Sequence, residues 1–108
     1  MTVASLESHG FKPLCLPDGE REINGVYIGD LLSWVMGRAS ADNAWITIMS
    51  NINVIAVASL ADVACVILAE DVTAPPEVIE AANQKQINIL SCEKPIYETA
   101  LALSELLR

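Results

Sequence analysis

The sequence has few aromatic residues and few basic ones. Phe, Trp and Tyr make up 5% of its 108 residues, although 53% of the residues are hydrophobic. The core must therefore consist of Val, Ile, Leu and Ala, which suits a central sheet covered by helices. Six Lys and Arg stand against 14 Asp and Glu, giving a formal net charge of −8. A surface of that sign repels phosphate backbones and anionic lipid, so we expect neither nucleic acid nor a membrane as a partner.

Cysteine motifs and long apolar runs are also missing. Cys15, Cys65 and Cys92 are widely spaced and form no CxxC pattern, so we expect free thiols and no zinc or other metal site. The most apolar stretch, residues 54–69, contains Ser59 and Asp62 and is too short to span a bilayer. With no signal peptide pattern, these features predict a soluble protein of the reducing cytoplasm.

Strand-like and helix-like segments alternate along the chain. We predict helices over residues 2–8, 31–37 and 52–61. Two further helices are expected to begin near Pro75 and at Pro95. Extended, β-rich runs cover residues 12–16, 23–28, 44–49, 64–68 and 87–90. From Trp45 onward the order strand, helix, strand, helix implies right-handed βαβ units. We predict one α/β domain, residues 1–108, with a mainly parallel sheet covered on both faces.

Two groups of segments resemble the DRTGG domain family, over about residues 23–107. The first group is Tyr27-Ile-Gly29-Asp30-Leu31-Leu-Ser33 followed by Ala44-Trp-Ile-Thr-Ile. The second is Val66-Ile-Leu68, followed by Pro76-Glu-Val-Ile-Glu-Ala-Ala and then by Ile87-Asn-Ile-Leu-Ser91. The chain is most similar to the short stand-alone members, often described as HPr serine kinase-like, that are found beside hydrogenase and electron-transfer proteins.

This resemblance implies a three-layer α/β/α domain, similar to the N-terminal domain of HPr kinase. In CBS-domain pyrophosphatases and phosphotransacetylases the family supplies a non-catalytic, self-associating module. The Asp-Arg-Thr signature falls here on Ser50-Asn51-Ile52-Asn53, so the acid and the arginine are both replaced. The P-loop string GxxxxGK[ST], which a kinase of that type needs for its phosphates, is absent.

In a doubly wound sheet, ligands bind where strands end and helices begin. We therefore expect a ligand site at three strand ends, formed by Gly29, Asp30, Ser50, Asn51, Asn53 and Ser91. Asn51 and Asn53 could bind an anion with the free N–H groups of the helix that follows, or could only cap that helix.

The other polar residues of this edge have two interpretations as well. Asp30 with Glu70 and Asp71 could hold a cation such as Mg²⁺, or the three could be loop and cap groups. Cys92, with Lys94 nearby, could be a reactive thiol or an ordinary buried cysteine.

Trp34, Ile52 and Ala56 are the expected residues of an interface between two copies. The helix of residues 52–61 is apolar nearly all round, and Trp34 lies on the helix face opposite Leu32 and Val35. Trp45, within a strand, is expected in the core.

The leading functional interpretation is a non-catalytic regulatory or adaptor module, a homodimer that binds a small, nucleotide-like ligand or a partner protein. No catalytic residue and no cofactor can be named. One alternative is an accessory factor of hydrogenase or electron-transfer systems, which rests on the company that the resembling family keeps. Another is an enzyme acting on phosphorylated substrates, which would need a general base and phosphate-binding cations.

Overall fold

The computed structural model of the protein describes all of Met1–Arg108. Its five strands are β1 (Lys12–Cys15), β2 (Gly25–Ile28), β3 (Asn43–Thr47), β4 (Cys65–Leu68) and β5 (Ile89–Ser91). Its four α-helices are α1 (Leu32–Arg38), α2 (Ile52–Ala61), α3 (Pro76–Lys85) and α4 (Ile96–Leu106). A 3₁₀ helix, Ala4–His9, precedes β1.

The strands form one sheet in the order β1-β5-β4-β3-β2. Strands β2 to β5 are parallel, and β1 lies antiparallel to β5 at one edge. Nearly every residue of β3, β4 and β5 is buried, as expected for parallel strands covered on both sides. The predicted α/β class with a mainly parallel sheet is confirmed.

Helices cover the sheet in two layers. Helices α1, α2 and α3 pack on one face, where their side chains meet Trp45, Val66 and Leu68. The 3₁₀ helix and α4 pack on the other face, against Ile46 and Ile67. The three-layer α/β/α arrangement is therefore confirmed. The sheet is not doubly wound between β2 and β5, because these strands follow one another in sequence and their connecting helices all lie on the same face.

The N-terminal segment is integral to the core although it precedes most of the sheet. Val3, Leu6 and Phe11 are almost completely buried beside α4. The short helix predicted over residues 2–8 is a 3₁₀ helix, Ala4–His9. The hydroxyls of Ser5 and Ser8 donate to the carbonyl oxygens three residues earlier, which competes with α-helical bonding. Gly10, with a φ of 90°, ends the segment.

One arginine joins the turns at the amino edge of the sheet. The guanidinium of Arg21 donates to the carboxylate of Asp42 at 2.8 Å, and to the carboxylate and carbonyl of Asp62 at 2.8 and 2.6 Å. These two turns precede β3 and β4. The buried side chain of Asn88 makes a second link, since it bonds to the backbone of Asp18 and to the carbonyl of Ala64.

Candidate functional site at the carboxyl edge of the sheet

The predicted ligand residues all lie at the carboxyl edge of the sheet, but they do not form one cluster. Gly29 follows Ile28, which pairs with Ile46, and Thr47 pairs with Leu68, which in turn pairs with Ser91. Gly29 and Ser91 are thus three strand spacings apart, about 14 Å. Gly29, Asp30, Ser50 and Asn51 flank the neighbouring ends of β2 and β3, whereas Ser91 is separated from them and buried.

Asp30 holds the end of β3 in place. Its Oδ1 accepts hydrogen bonds from the hydroxyl of Thr47 at 2.6 Å and from the N–H of Ile48 at 3.1 Å. The adjacent Gly29 accepts a hydrogen bond from the indole N–H of Trp45 at 2.8 Å. A Cβ at Gly29 would lie 3.0 Å from the ring of Tyr27, so the close packing here favours glycine.

Asn51 acts as the cap of α2. Its side-chain oxygen accepts a hydrogen bond from the N–H of Asn53 at 2.9 Å, and its backbone is extended, as a cap residue requires. The side chains of Asn51 and Asn53 are both exposed. The N–H of Val54 donates to the carbonyl oxygen of Asn51 at 3.1 Å. The positive end of the helix dipole lies at this terminus, where an anion could bind. The proposed anion site stays a prediction.

Glu70 and Asp71 do not join Asp30. Glu70 Oε2 accepts a hydrogen bond from the N–H of Ile96 at 3.1 Å, so its carboxylate caps α4. Both acids have φ near 60° in the tight turn after β4. No group of three or more His, Cys, Asp or Glu side chains is placed to hold a metal ion. The geometry therefore favours the capping interpretation for Glu70 over a cation site.

All three cysteines are buried. Cys92 is 4% exposed, which favours its interpretation as an ordinary buried cysteine. Burial raises the pKa of the Cys65 thiol from its usual 9.0 to about 12, and burial also raises the pKa of Cys15. A thiol with a raised pKa is mostly protonated at neutral pH and is a weak nucleophile.

The predicted interface residues lie on the outer side of adjacent helices. Trp34 of α1 is 52% exposed and Ile52 of α2 is 50% exposed. Ala56 is exposed as well, and Leu60 follows at the same helical spacing with 72% exposed. We call Trp34, Ile52, Ala56 and Leu60 the α1–α2 surface. Trp45, in contrast, is fully buried, as predicted.

The one cavity of the molecule lies elsewhere and was not predicted. It is a groove of about 600 Å³ between β2 and α4, lined by Val26, Tyr27, Ile28, Ala100, Ser104, Leu107 and Arg108. The only sequence signal for it is the uncharged run of residues 23–29. None of the predicted ligand residues lines this groove.

Two comparisons with known proteins agree with this fold. A family model described as the DRTGG domain matches residues 18–106. The regulatory region of Clostridium perfringens pyrophosphatase, with its CBS and DRTGG domains and complexed with the activator diadenosine tetraphosphate, has a similar structure, with a TM-score of 0.69 and 14% identity. The match covers 96% of this chain and 44% of that one, so the chain spans less than half of that structure.

No curated protein matches the sequence. In addition, none of the helices combines the length and the apolar character that crossing a membrane requires.

Proposed function

The chain belongs to the DRTGG domain family, and we propose that it is a non-catalytic regulatory module that acts as a homodimer and binds a small ligand. The observation that carries this proposal is the α1–α2 surface. Its apolar side chains are exposed on two helices that pack against each other, and exposed apolar side chains grouped in this way often mark an interface.

The charge distribution supports the same surface. Between residues 31 and 61 the sequence contains one basic residue, Arg38, and one acidic residue, Asp42, whereas 13 of the 14 acidic residues lie outside this range. Two copies with a charge of −8 each repel one another at most approaches. Contact through these two helices brings no carboxylate of their own between the copies, because helix α2 carries no charge and α1 carries only Arg38.

Trp34 is suited to the centre of such an interface. The guanidinium carbon of Arg38 lies 3.7 Å from the centre of the Trp34 ring, which fixes the indole by a cation–π interaction. Trp and Arg are among the residues that contribute most to binding when they are desolvated. A two-fold dimer would use the same surface on both copies.

For the ligand we propose a nucleotide-like anion at the first turn of α2. The similar pyrophosphatase region is complexed with a dinucleotide, and Ser50, Asn51 and Asn53 here replace the charged family signature with neutral donors and acceptors. Binding would rely on backbone N–H groups and on the helix dipole, with Asp30 closing the neighbouring loop.

Two measurements test this proposal. Light scattering of the pure protein should give the mass of two chains, and a mass of one chain at tens of micromolar protein would contradict the dimer. A thermal-shift series with diadenosine tetraphosphate, ATP and AMP should identify a ligand, because one present at about 100 times its Kd stabilises the fold by about 2.7 kcal/mol. An unchanged melting temperature with all three would contradict the nucleotide ligand.

A further inference from the structure

The sequence contains one Asn-Gly pair, Asn24-Gly25, where strand β2 begins. Asparagine is a thermolabile residue, because the backbone nitrogen of the next residue can attack its side-chain amide carbon. Glycine permits this attack most readily, since it has no side chain to obstruct it and its backbone is the least restricted. Asn24 is exposed to water, and β2 is an edge strand with a single neighbour. The pair therefore lies where deamidation can take place.

The fold restrains the Asn24 side chain at both of its polar atoms. Its Nδ2 donates a hydrogen bond to the carbonyl oxygen of Ala41 at 3.2 Å, and its Oδ1 accepts one from Nδ2 of Asn43 at 3.1 Å. The Oδ1 of Asn43 in turn accepts from the N–H of Ser40 at 3.0 Å. Deamidation moves the Asn24 amide and expels its Nδ2, so the bond to Ala41 must break and the bond to Asn43 opposes the reaction.

The same Asn43 side chain explains why glycine follows Asn24. Gly25 pairs with Asn43 in the parallel ladder of β2 and β3. A Cβ at Gly25 would lie 3.2 Å from Nδ2 of Asn43, which is shorter than an ordinary contact between such atoms. The close approach of this amide thus favours glycine at position 25 and also holds the asparagine that glycine makes labile.

We propose that Asn24 is a site of spontaneous deamidation and that the side chain of Asn43 sets its rate. When the amino end of β2 opens locally, the Gly25 nitrogen loses its proton to hydroxide and forms a bond to Cγ of Asn24. The bond between Cγ and Nδ2 breaks, and Nδ2 leaves as ammonia. Water then opens the cyclic imide at either carbonyl carbon, which yields aspartate or isoaspartate at position 24.

The product cannot restore the link that asparagine makes. A carboxylate at position 24 has no N–H to donate to the carbonyl oxygen of Ala41, and it adds a negative charge to a chain whose net charge is −8. Isoaspartate also lengthens the backbone beside the hydrogen bond from the N–H of Asn24 to the carbonyl oxygen of Asp42. Deamidation therefore loosens the amino end of β2 permanently. This end lies opposite the proposed ligand site, and the reaction does not depend on the dimer.

Mass spectrometry of peptides from protein incubated at neutral pH measures the acid formed at each asparagine. In protein unfolded with guanidinium chloride, Asn24 should be converted faster than Asn83, which is followed by Gln84. Gly25→Ala should remove this difference. In the folded protein the conversion of Asn24 should be slower by about tenfold or more, because two hydrogen bonds restrain its amide.

A variant of Asn43 tests the restraint directly. Asn43→Ala should raise the rate at Asn24 in the folded protein about fivefold, the factor that corresponds to one hydrogen bond of about 1 kcal/mol. Glu70→Ala is the matched control, because it removes a hydrogen bond to the N–H of Ile96 at the start of α4, away from β2. It should leave the rate at Asn24 unchanged. Circular dichroism establishes that both variants are folded.

Three results would overturn the proposal. Equal rates at Asn24 and Asn83 in the unfolded chain would show that the Asn-Gly pair is not labile. Equal rates at Asn24 in the folded and the unfolded protein would show that the fold gives no protection. Equal acceleration by Asn43→Ala and Glu70→Ala would show that global unfolding sets the rate, instead of the release of Asn24 from Asn43.

Discussion

The carboxylate of Asp30 and the hydroxyl of Thr47 are joined by a hydrogen bond of 2.6 Å across the ends of β2 and β3. Thr47 is fully buried, and its hydroxyl oxygen also accepts a hydrogen bond from the N–H of Met49 at 3.2 Å. Asp30 in addition accepts from the N–H of Ile48. One carboxylate thus fixes the loop that leads from β3 into the first turn of α2, where the ligand is proposed.

We expect Asp30→Ala to lower the free energy of unfolding by about 1–3 kcal/mol, because it removes the acceptor of both the buried Thr47 hydroxyl proton and the Ile48 N–H. Urea denaturation measures this. Glu80→Ala is the control, since Glu80 is an exposed acid on α3 whose side chain makes no hydrogen bond or ion pair, and it should change stability by less than about 0.5 kcal/mol. Equal stability of the two variants would show that the Asp30 bonds contribute nothing.

The isolated protein should neither hydrolyse ATP nor phosphorylate a protein. The sequence lacks the glycine-rich loop and lysine that hold and neutralise nucleotide phosphates in P-loop kinases. Phosphate release from ATP measures the activity. A rate that copurifies with the wild-type chain and is lost in folded Asp30→Ala would contradict this prediction and place Asp30 in a catalytic site.

Substitution of the cap of α2 separates its two interpretations. Asn51→Ser should change stability by only a few tenths of a kcal/mol because serine caps nearly as well, whereas Asn51→Ala should cost about 1 kcal/mol. Asn53→Ser should also be nearly neutral, since the Asn53 side chain is exposed. Chemical denaturation and the nucleotide thermal shifts are measured together. Loss of the ligand shift in a serine variant of unchanged stability would show that the asparagine side chains bind the ligand.

Trp34→Glu should weaken the dimer strongly, because it replaces the largest side chain of the α1–α2 surface with a charge that must be desolvated. Light scattering over a dilution series gives the dissociation constant. Tyr97→Glu is the matched control, since Tyr97 is an exposed aromatic residue on α4, 69% accessible, on the other side of the sheet. If both variants dimerise equally well, the α1–α2 surface is not the interface.

The unfolding free energy should fall as the pH rises from about 9 to about 12 because of Cys65. The pKa of this thiol is raised by burial from 9.0 to about 12 in the folded state. The unfolded chain therefore loses the thiol proton first, and deprotonation favours unfolding across this range. Denaturation curves at several pH values should show a flatter dependence for Cys65→Ala than for the wild type. The same slope in both proteins would contradict the assignment.

Local sequence signals predicted the elements well. Residues 52–61 are the observed α2, because the capping-type residues Ser50 and Asn51 precede an uninterrupted helical segment, and the apolar run of residues 64–68 contains β4. The resemblance to the DRTGG family, drawn from motifs around Gly29 and Pro76, is confirmed by the family match.

Spatial relations between distant elements could not be predicted in the same way. The parallel order β2-β3-β4-β5 and the placement of α1 to α3 on one face depend on packing across the whole sheet, not on local spacing. Ser91 was expected after the end of a strand but is the last residue of β5, and β4 lies between β5 and β3. The groove was missed because it arises where α4 crosses the opposite face beside β2, a contact between residues that are more than 70 positions apart.

The packing of the N-terminal segment limits how far the domain can be truncated without losing stability. The family match begins at residue 18, but Val3, Leu6, Phe11 and strand β1 lie before that point and are part of the core and the sheet. A chain trimmed to the matched residues would expose the hydrogen-bonding edge of β5 and leave a cavity beside α4 where Leu6 and Phe11 were packed. The boundary of sequence similarity is therefore not the boundary of the cooperative folding unit, and any protein that joins this domain to another must retain the first 17 residues to keep it stable.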